Sequence, residues 1–299
     1  MRVLIITGGT SSERRISFMS AKQVRNALEE SDYKVKLFDL KKGYVELKKL
    51  SKDFDVIFPV IHGEEGEGGA LQKFLTTLGV PFVGGNPKGF KQGWYKIPFK
   101  KFCQQNNIPT ARWKKVKTKD DIIKFGFPCV LKSSAGGSSR EVAILKSKDD
   151  LKSYLVNKLF KSKLTLFVEK YLPGTEVTVG ILHNRALPIV EIIPPDGGWF
   201  DYKNKYWGAT QEIPFAPSVD FKLQKIIQKI ALKIHQILSL GQYSRIDFII
   251  SDNKPYVLEV NTIPGLTASS LFPKAAQAIG ISFPKLMDKM IKMALKNEK

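Results

Sequence analysis

The 299 residues, 43% hydrophobic and 25% charged, carry enough apolar material for sizeable cores and, on the usual scale of domain size, for two or three domains. No stretch approaches the ~18 to 20 uncharged apolar residues that span a bilayer. The opening Met-Arg-Val-Leu-Ile-Ile-Thr-Gly-Gly run reads as a strand and loop, not a signal peptide, so a cytoplasmic protein with no membrane partner is expected. The formal charge of +20 suits nucleic acid, yet most of the excess is lysine spread over helix faces, and no nucleic-acid partner is expected. Cys103 and Cys129 form neither a disulfide framework nor a metal-ligand spacing and read as reduced thiols.

The chain opens with a strand at Arg2–Ile6, a Gly8-Gly9-Thr10-Ser11-Ser12 turn and a helix on which Ala21, Val24, Ala27 and Leu28 recur at helical spacing. Strands at Val35–Leu40 and Asp55–Ile61 follow, and this βαβ rhythm predicts a parallel, Rossmann-like sheet. The glycine pair by itself indicates no ligand, because a tight strand-to-helix turn uses glycine for backbone reasons alone. His62, after Pro59-Val60-Ile61, reads equally as a strand cap or a substrate contact. Asn86-Pro87 marks a boundary, and Lys96 in Gln92-Gly93-Trp94-Tyr95-Lys96 looks the same as a helix-surface lysine.

A second block carries strands at Pro128–Lys132 and Leu166–Lys170. The first ends in Lys132 and runs at once into Ser133-Ser134-Ala135-Gly136-Gly137-Ser138-Ser139, a loop that can wrap phosphates with backbone amides and hydroxyls while Lys132 supplies a point charge. It is not a Walker A loop, since no Gly-Lys-Ser/Thr run opens a helix. A flexible linker is the competing reading, and its place directly after an apolar strand disfavours it. Leu166 to Leu172 makes a strand and hinge whose backbone suits an adenine, with Glu176 near enough in sequence for ribose hydroxyls. Pro173-Gly174 reads as the exit from the block.

In the third block Trp199, Phe200, Tyr202, Tyr206 and Trp207 cluster, but the intervening Asp201, Lys203, Asn204 and Lys205 favour a lid over a core strand. Between Phe221 and Leu240, Leu223, Ile226, Ile227, Ile230, Ala231, Ile234, Ile237 and Leu238 form an apolar stripe, with His235 at its boundary and lysines off it. A last helix begins near Phe283-Pro284. Between these helices, a hairpin turning near Asn253 sets Asp247 opposite Glu259 and Arg245 opposite Asn261, all four on one face. Ile246, Phe248, Ile250, Tyr256, Leu258 and Val260 are left for the other, apolar face. Two carboxylates and an amide oxygen are hard ligands suited to Mg²⁺ with water and phosphate completing its shell, whereas an isolated hairpin of this kind would read as an ion-pair ladder.

In order along the chain, Gly8-Gly9-Thr10-Ser11-Ser12-Glu13-Arg14, His62-Gly63, Gly66-Glu67, Lys132, Gly137-Ser138-Ser139, Glu169-Lys170, Glu176, Lys205-Tyr206, Arg245-Ile246-Asp247, Glu259-Val260-Asn261-Thr262, Pro264-Gly265 and Ser270-Leu271 resemble the D-alanine–D-alanine ligase family of ATP-grasp enzymes. The resemblance runs from Gly8 to Leu271 and implies a three-domain α/β ATP-grasp fold. The N-terminal Rossmann-like domain is expected at 1–91, a central ATP-grasp subdomain at 92–172 and a C-terminal one at 173–299. It implies phosphorylation of one D-alanine by ATP to an acyl phosphate, then attack by the amine of a second, for peptidoglycan synthesis. A related ligase with another D-amino acid or hydroxy acid, or a catalytically weak ATP-binding relative, is the alternative.

Carried onto matching positions, the resemblance gives Asp247, Glu259 and Asn261 as ligands of two Mg²⁺ ions, with Mn²⁺ as substitute, and Lys96 and Lys132 as phosphate-neutralising cations. Ser139, Glu169, Lys170, Leu172 and Glu176 join them at ATP. Glu13 would hold the first ammonium and form a hydrogen-bonded group with Ser138 and Tyr206. Arg245 and the Gly265 amide would face the oxyanion, Lys205 and Ser270 would hold the second carboxylate, and His62 and Leu271 would line the substrate site. A homodimer is implied. Arg15, Gly68 and Arg140-Glu141 depart from the usual family pattern.

Overall fold

The computed structural model describes residues 1–137, 141–195 and 210–296. β1 (Arg2–Thr7) lies between β2 (Lys34–Asp39) and β3 (Val56–Pro59), parallel to both. Val3, Leu4, Ile5 and Ile6 are all buried, as a strand covered on both faces requires. Val3 and Ile5 face α1 (Arg14–Glu29), while Leu4 and Ile6 meet Leu47 of α2 (Tyr44–Ser51). The βαβ expectation is met, with the third strand ending at Pro59 and Val60-Ile61 continuing buried toward His62.

Short helices α3 (Glu64–Glu67) and α4 (Ala70–Leu75) lead to α5 (Pro87–Trp94) and α6 (Lys96–Gln105). Asn86 caps α5 by accepting from Lys88 N, and its own N–H donates to Ser239 O at 2.8 Å. The helix packs so closely there that a Cβ on Gly89 would lie 1.7 Å from Leu238 O.

The second sheet contains β4 (Trp113–Val116), then α7 (Lys119–Phe125), β5 (Cys129–Ser133), β6 (Val142–Leu145), α8 (Tyr154–Lys161) and β7 (Leu166–Lys170), with strand order β4-β7-β5-β6, all antiparallel. Period-two alternation sends Cys129 and Leu131 into the core with α7 and α8, and Val130 and Lys132 to the opposite face.

The third sheet has the order β10-β9-β8-β11-β12, built from β8 (Thr175–Leu182), β9 (Arg185–Ile193), β10 (Gln211–Pro214), β11 (Tyr243–Ser251) and β12 (Lys254–Asn261). Between β10 and β11 runs α9 (Phe221–Leu238), which buries Leu223, Ile227, Ala231, Ile234 and Leu238 against the sheet. Ile226 and Ile237, assigned to the stripe from sequence, are 49% and 46% exposed. His235 is not a boundary residue: it is buried, its Nδ1 2.8 Å from Ser244 Oγ and its Nε2 3.1 Å from Gly241 O. After β12, α10 (Leu271–Gln277) leads to α11 (Phe283–Lys296), which returns to pack on α1 and closes the first sheet's core with Leu286, Met287, Met290 and Ile291.

Candidate active site

The β11–β12 hairpin pairs Asp247 with Glu259 and Arg245 with Asn261, as its sequence pattern predicts. The route differs. Asp252 and Asn253, both at positive φ, make a two-residue turn that pairs Ser251 with Lys254, and a bulge between Asp247 and Phe248 shifts the register by one. The bulge exchanges faces on β12. Val257, not Leu258, enters the core, and Leu258 lines a cavity with Ile249, a correction to the apolar face read from sequence.

Asp247 is heavily engaged. It accepts from Arg245 Nε and Nη2 at 2.9 Å each, from Thr178 Oγ1 at 2.5 Å and from Asn261 Nδ2 at 2.9 Å. The Arg245–Asp247 ion pair anticipated for an isolated hairpin exists, but it is buried and lies at a cavity wall. Burial pushes the Arg245 pKa down, and Asp247 more than offsets that, so it rises. Glu259 faces Lys96 Nζ at 3.3 Å. Among the described residues no three His, Cys, Asp or Glu side chains gather as a metal cluster. Two carboxylates and an amide whose nitrogen is turned to Asp247 form a hard-oxygen set, which fits Mg²⁺ provided phosphate and water complete its shell.

A cavity of about 560 Å³ opens between the second and third sheets. Val130 and Ile144 form one wall, Ile192, Ile249 and Leu258 the other, so a flat aromatic group can be held between apolar side chains. The connection from β7 to β8 brings Lys170, Leu172 and Glu176 to the same cavity. Lys132, Gly136, Gly137 and Glu141 lie along its lining too. Glu169 is buried and holds two lysines: Lys132 Nζ at 2.5 Å from Oε1 and Lys100 Nζ at 2.5 Å from Oε2. Burial raises the Glu169 pKa, but the two ammoniums overcome it and bring it to about 2.

A second cavity of about 360 Å³ adjoins the first. Glu13, His62, Arg245, Gly265, Ser270 and Leu271 all line it. Glu13 sits at the N-terminus of α1, on a loop held by Arg14, which donates to Gly9 O and to both oxygens of Asp39. The backbone N–H of His62 donates to Ser17 Oγ at 2.9 Å, and its ring lines the cavity 3.4 Å from Ser20 Oγ. Burial lowers its pKa against the pull of Glu13, which leaves the imidazole neutral at pH 7. Gly265 approaches Ser270 so closely that a Cβ would lie 2.8 Å from its Oγ.

The two cavities share Lys96, Gly136, Gly137 and Glu259. Lys96 is thus not a surface lysine; it also donates to Gly136 O at 2.8 Å. Ser138, Ser139, Lys205 and Tyr206 lie outside the described residues. Sequence reasoning gave no role to Lys100 or Glu67. Lys100 is four residues after Lys96, one turn along α6, a spacing lost among so many lysines. Glu67 lines the second cavity, accepts from Gly63 N at 3.1 Å, and is pushed up to about 8 by burial and by Glu13.

Residues 93–292 match the family model described as D-ala D-ala ligase C-terminus, and residues 44–85 the one described as D-ala D-ala ligase N-terminus. The chain belongs to the D-alanine–D-alanine ligase family. It is 36% identical over 302 residues to D-alanine–D-alanine ligase A of Clostridium perfringens, covering 99% of both chains. It is 37% identical over 308 residues to the ligase of Syntrophobacter fumaroxidans, covering 99% of this chain and 98% of that one. Among solved structures, the Bacillus anthracis D-alanine–D-alanine ligase complexed with ATP matches with a TM-score of 0.85 and 31% identity over the whole of both chains. The α/β ATP-grasp architecture expected of the family is therefore the fold of this chain.

Proposed function

We propose that this enzyme joins two D-alanines into D-alanyl-D-alanine, with ATP converted to ADP and phosphate through an acyl phosphate, for peptidoglycan synthesis. The observation that carries this reading is the junction of a nucleotide-sized cavity and a smaller polar one at Lys96 and Glu259. A carboxylate bound in the second cavity would lie beside the end of the first, where a terminal phosphate belongs. Family membership supports the substrates and ATP.

Within this reading the apolar walls hold adenine, with the Lys170–Leu172 backbone at its edge and Glu176 at the ribose. Lys96 and Lys132 meet the phosphates. Asp247, Glu259 and Asn261 would hold Mg²⁺, which when bound would supply charge neutralisation to the transferring phosphoryl group. Glu13 holds the first ammonium, Arg245 and the Gly265 amide face the oxyanion, and Ser270 takes the second carboxylate, with His62 and Leu271 beside them. Ser138 and Tyr206 join Glu13 in a hydrogen-bonded group, Ser139 is assigned to ATP, and Lys205 shares the second carboxylate with Ser270. Three units at 1–91, 92–172 and 173–299, a homodimer and a cytoplasmic location complete the proposal. Among the described residues no helix is long and apolar enough to cross a membrane.

The test is phosphate release with ATP and Mg²⁺. D-alanine should stimulate it and L-alanine should not; release indifferent to D-alanine contradicts the proposal.

A further inference from the structure

Lys100 is 1% exposed and lies outside the lining of both cavities. An ammonium in such a place must be compensated, and its partners are Glu169 Oε2 at 2.5 Å and Thr110 Oγ1 at 2.6 Å. Thr110 is itself fixed by donating to Val257 O at 3.0 Å, so the Lys100 end of the group is anchored to both α6 and β12. Glu169 gives its other oxygen to Lys132, whose side chain is 15% exposed at the nucleotide cavity.

The arrangement is one carboxylate between two ammoniums, with a net charge of +1. A Lys132–Glu169 pair alone would be neutral, and a phosphate approaching Lys132 would meet the repulsion of the carboxylate behind it. A second cation on the far oxygen offsets that repulsion. We propose that Lys100 is a positioning residue for phosphate binding: without touching the nucleotide, it balances Glu169 so that Lys132 keeps an effective positive charge toward the phosphates. This rests on the assignment of the larger cavity to ATP.

Equilibrium binding of ADP and of adenosine, both with Mg²⁺, to the full chain by calorimetry separates the two ideas. Lys132→Met tests the assignment: it should weaken ADP and spare adenosine, and an unchanged ADP-to-adenosine affinity ratio would overturn the placement of phosphates there, and this inference with it. Lys100→Met should weaken ADP about tenfold while adenosine changes by less than about twofold, because only the charged part of the ligand senses the imbalance. Lys100→Met combined with Glu169→Gln removes both charges and should bring the ratio back to within about threefold of the native one. With Lys132→Met behaving as expected, an unchanged ratio in Lys100→Met overturns the role of Lys100 alone, as does an equal loss of both ligands. Should Lys100→Met not fold, the double variant decides: a near-native ratio supports the charge balance, and a ratio as low as that of Lys132→Met overturns it.

Discussion

Lys96 Nζ stands 3.3 Å from Glu259 Oε2 on the line where the two cavities join. One residue comes from the start of α6 and the other from β12, so helix and sheet both fix the junction. Glu259 is opposite Asp247 in register, which places the cation of α6 against the hard-oxygen face of the hairpin.

Glu259→Gln should therefore abolish the charged ligand at the junction while leaving the apolar face of the hairpin untouched. Turnover is expected to fall by about a hundredfold or more, with unchanged thermal unfolding. Near-normal phosphate release from a folded variant would remove Glu259 from the metal site.

Arg14 and Asp39 act on the opposite cavity. Arg14 holds the Asp39 carboxyl near a pKa of about 2, and Asp39 Oδ1 also accepts from Gly9 N at 3.2 Å, so the loop leading to Glu13 is tied to the end of β2. Asp39→Asn should raise the KM for the first D-alanine about three- to tenfold and leave the KM for ATP alone, because only the loop holding Glu13 is released. Equal changes in both KM values would show a general loss of structure instead.

How much of this was legible in the sequence depends on the range of the signal. Period-two alternation about a turn centred near Asn253 gives Asp247 opposite Glu259, the pairing that the structure reaches by a two-residue turn at Asp252-Asn253 and a compensating bulge. The bulge that exchanges Val257 for Leu258 left no local mark, because either residue suits a core. The βαβ rhythm announced the first sheet, whereas the return of α11 to cover it is a contact between chain ends that no local pattern encodes. Lys100 was hidden for a compositional reason: among 48 Lys and Arg, one buried ammonium looks like its solvated neighbours until Glu169 is placed beside it. His235 was read as a boundary residue because its partners, Ser244 and Gly241, lie beyond the helix.

That histidine gives a stability test with a defined sign. Burial holds its pKa down at about 4, below the ordinary 6.5 of the unfolded chain. Between these values the unfolded state binds the extra proton, so stability from neutral His235 is complete above about pH 6.5 and is lost as the pH falls toward 4. The gap in unfolding free energy between the native chain and His235→Gln should shrink over that window by an amount on the order of 3 kcal/mol. A pH-independent gap in denaturant titrations would contradict the buried neutral imidazole.

Gly89 tests the seam between α5 and the end of α9. Gly89→Ala would place a methyl group 1.7 Å from Leu238 O, backbone against backbone, with no side chain free to yield. The expected loss is about 1–3 kcal/mol, read as a lower unfolding temperature. An unchanged unfolding temperature would mean that the two segments are not held this closely.

The most direct measurement of the central claim is mass spectrometry of the products formed from ATP, Mg²⁺ and a mixture of D- and L-amino acids. The account predicts D-alanyl-D-alanine as the main product, formed in step with ADP and abolished by Glu259→Gln. A different dipeptide as the main product, or ADP formed without any peptide, would contradict it.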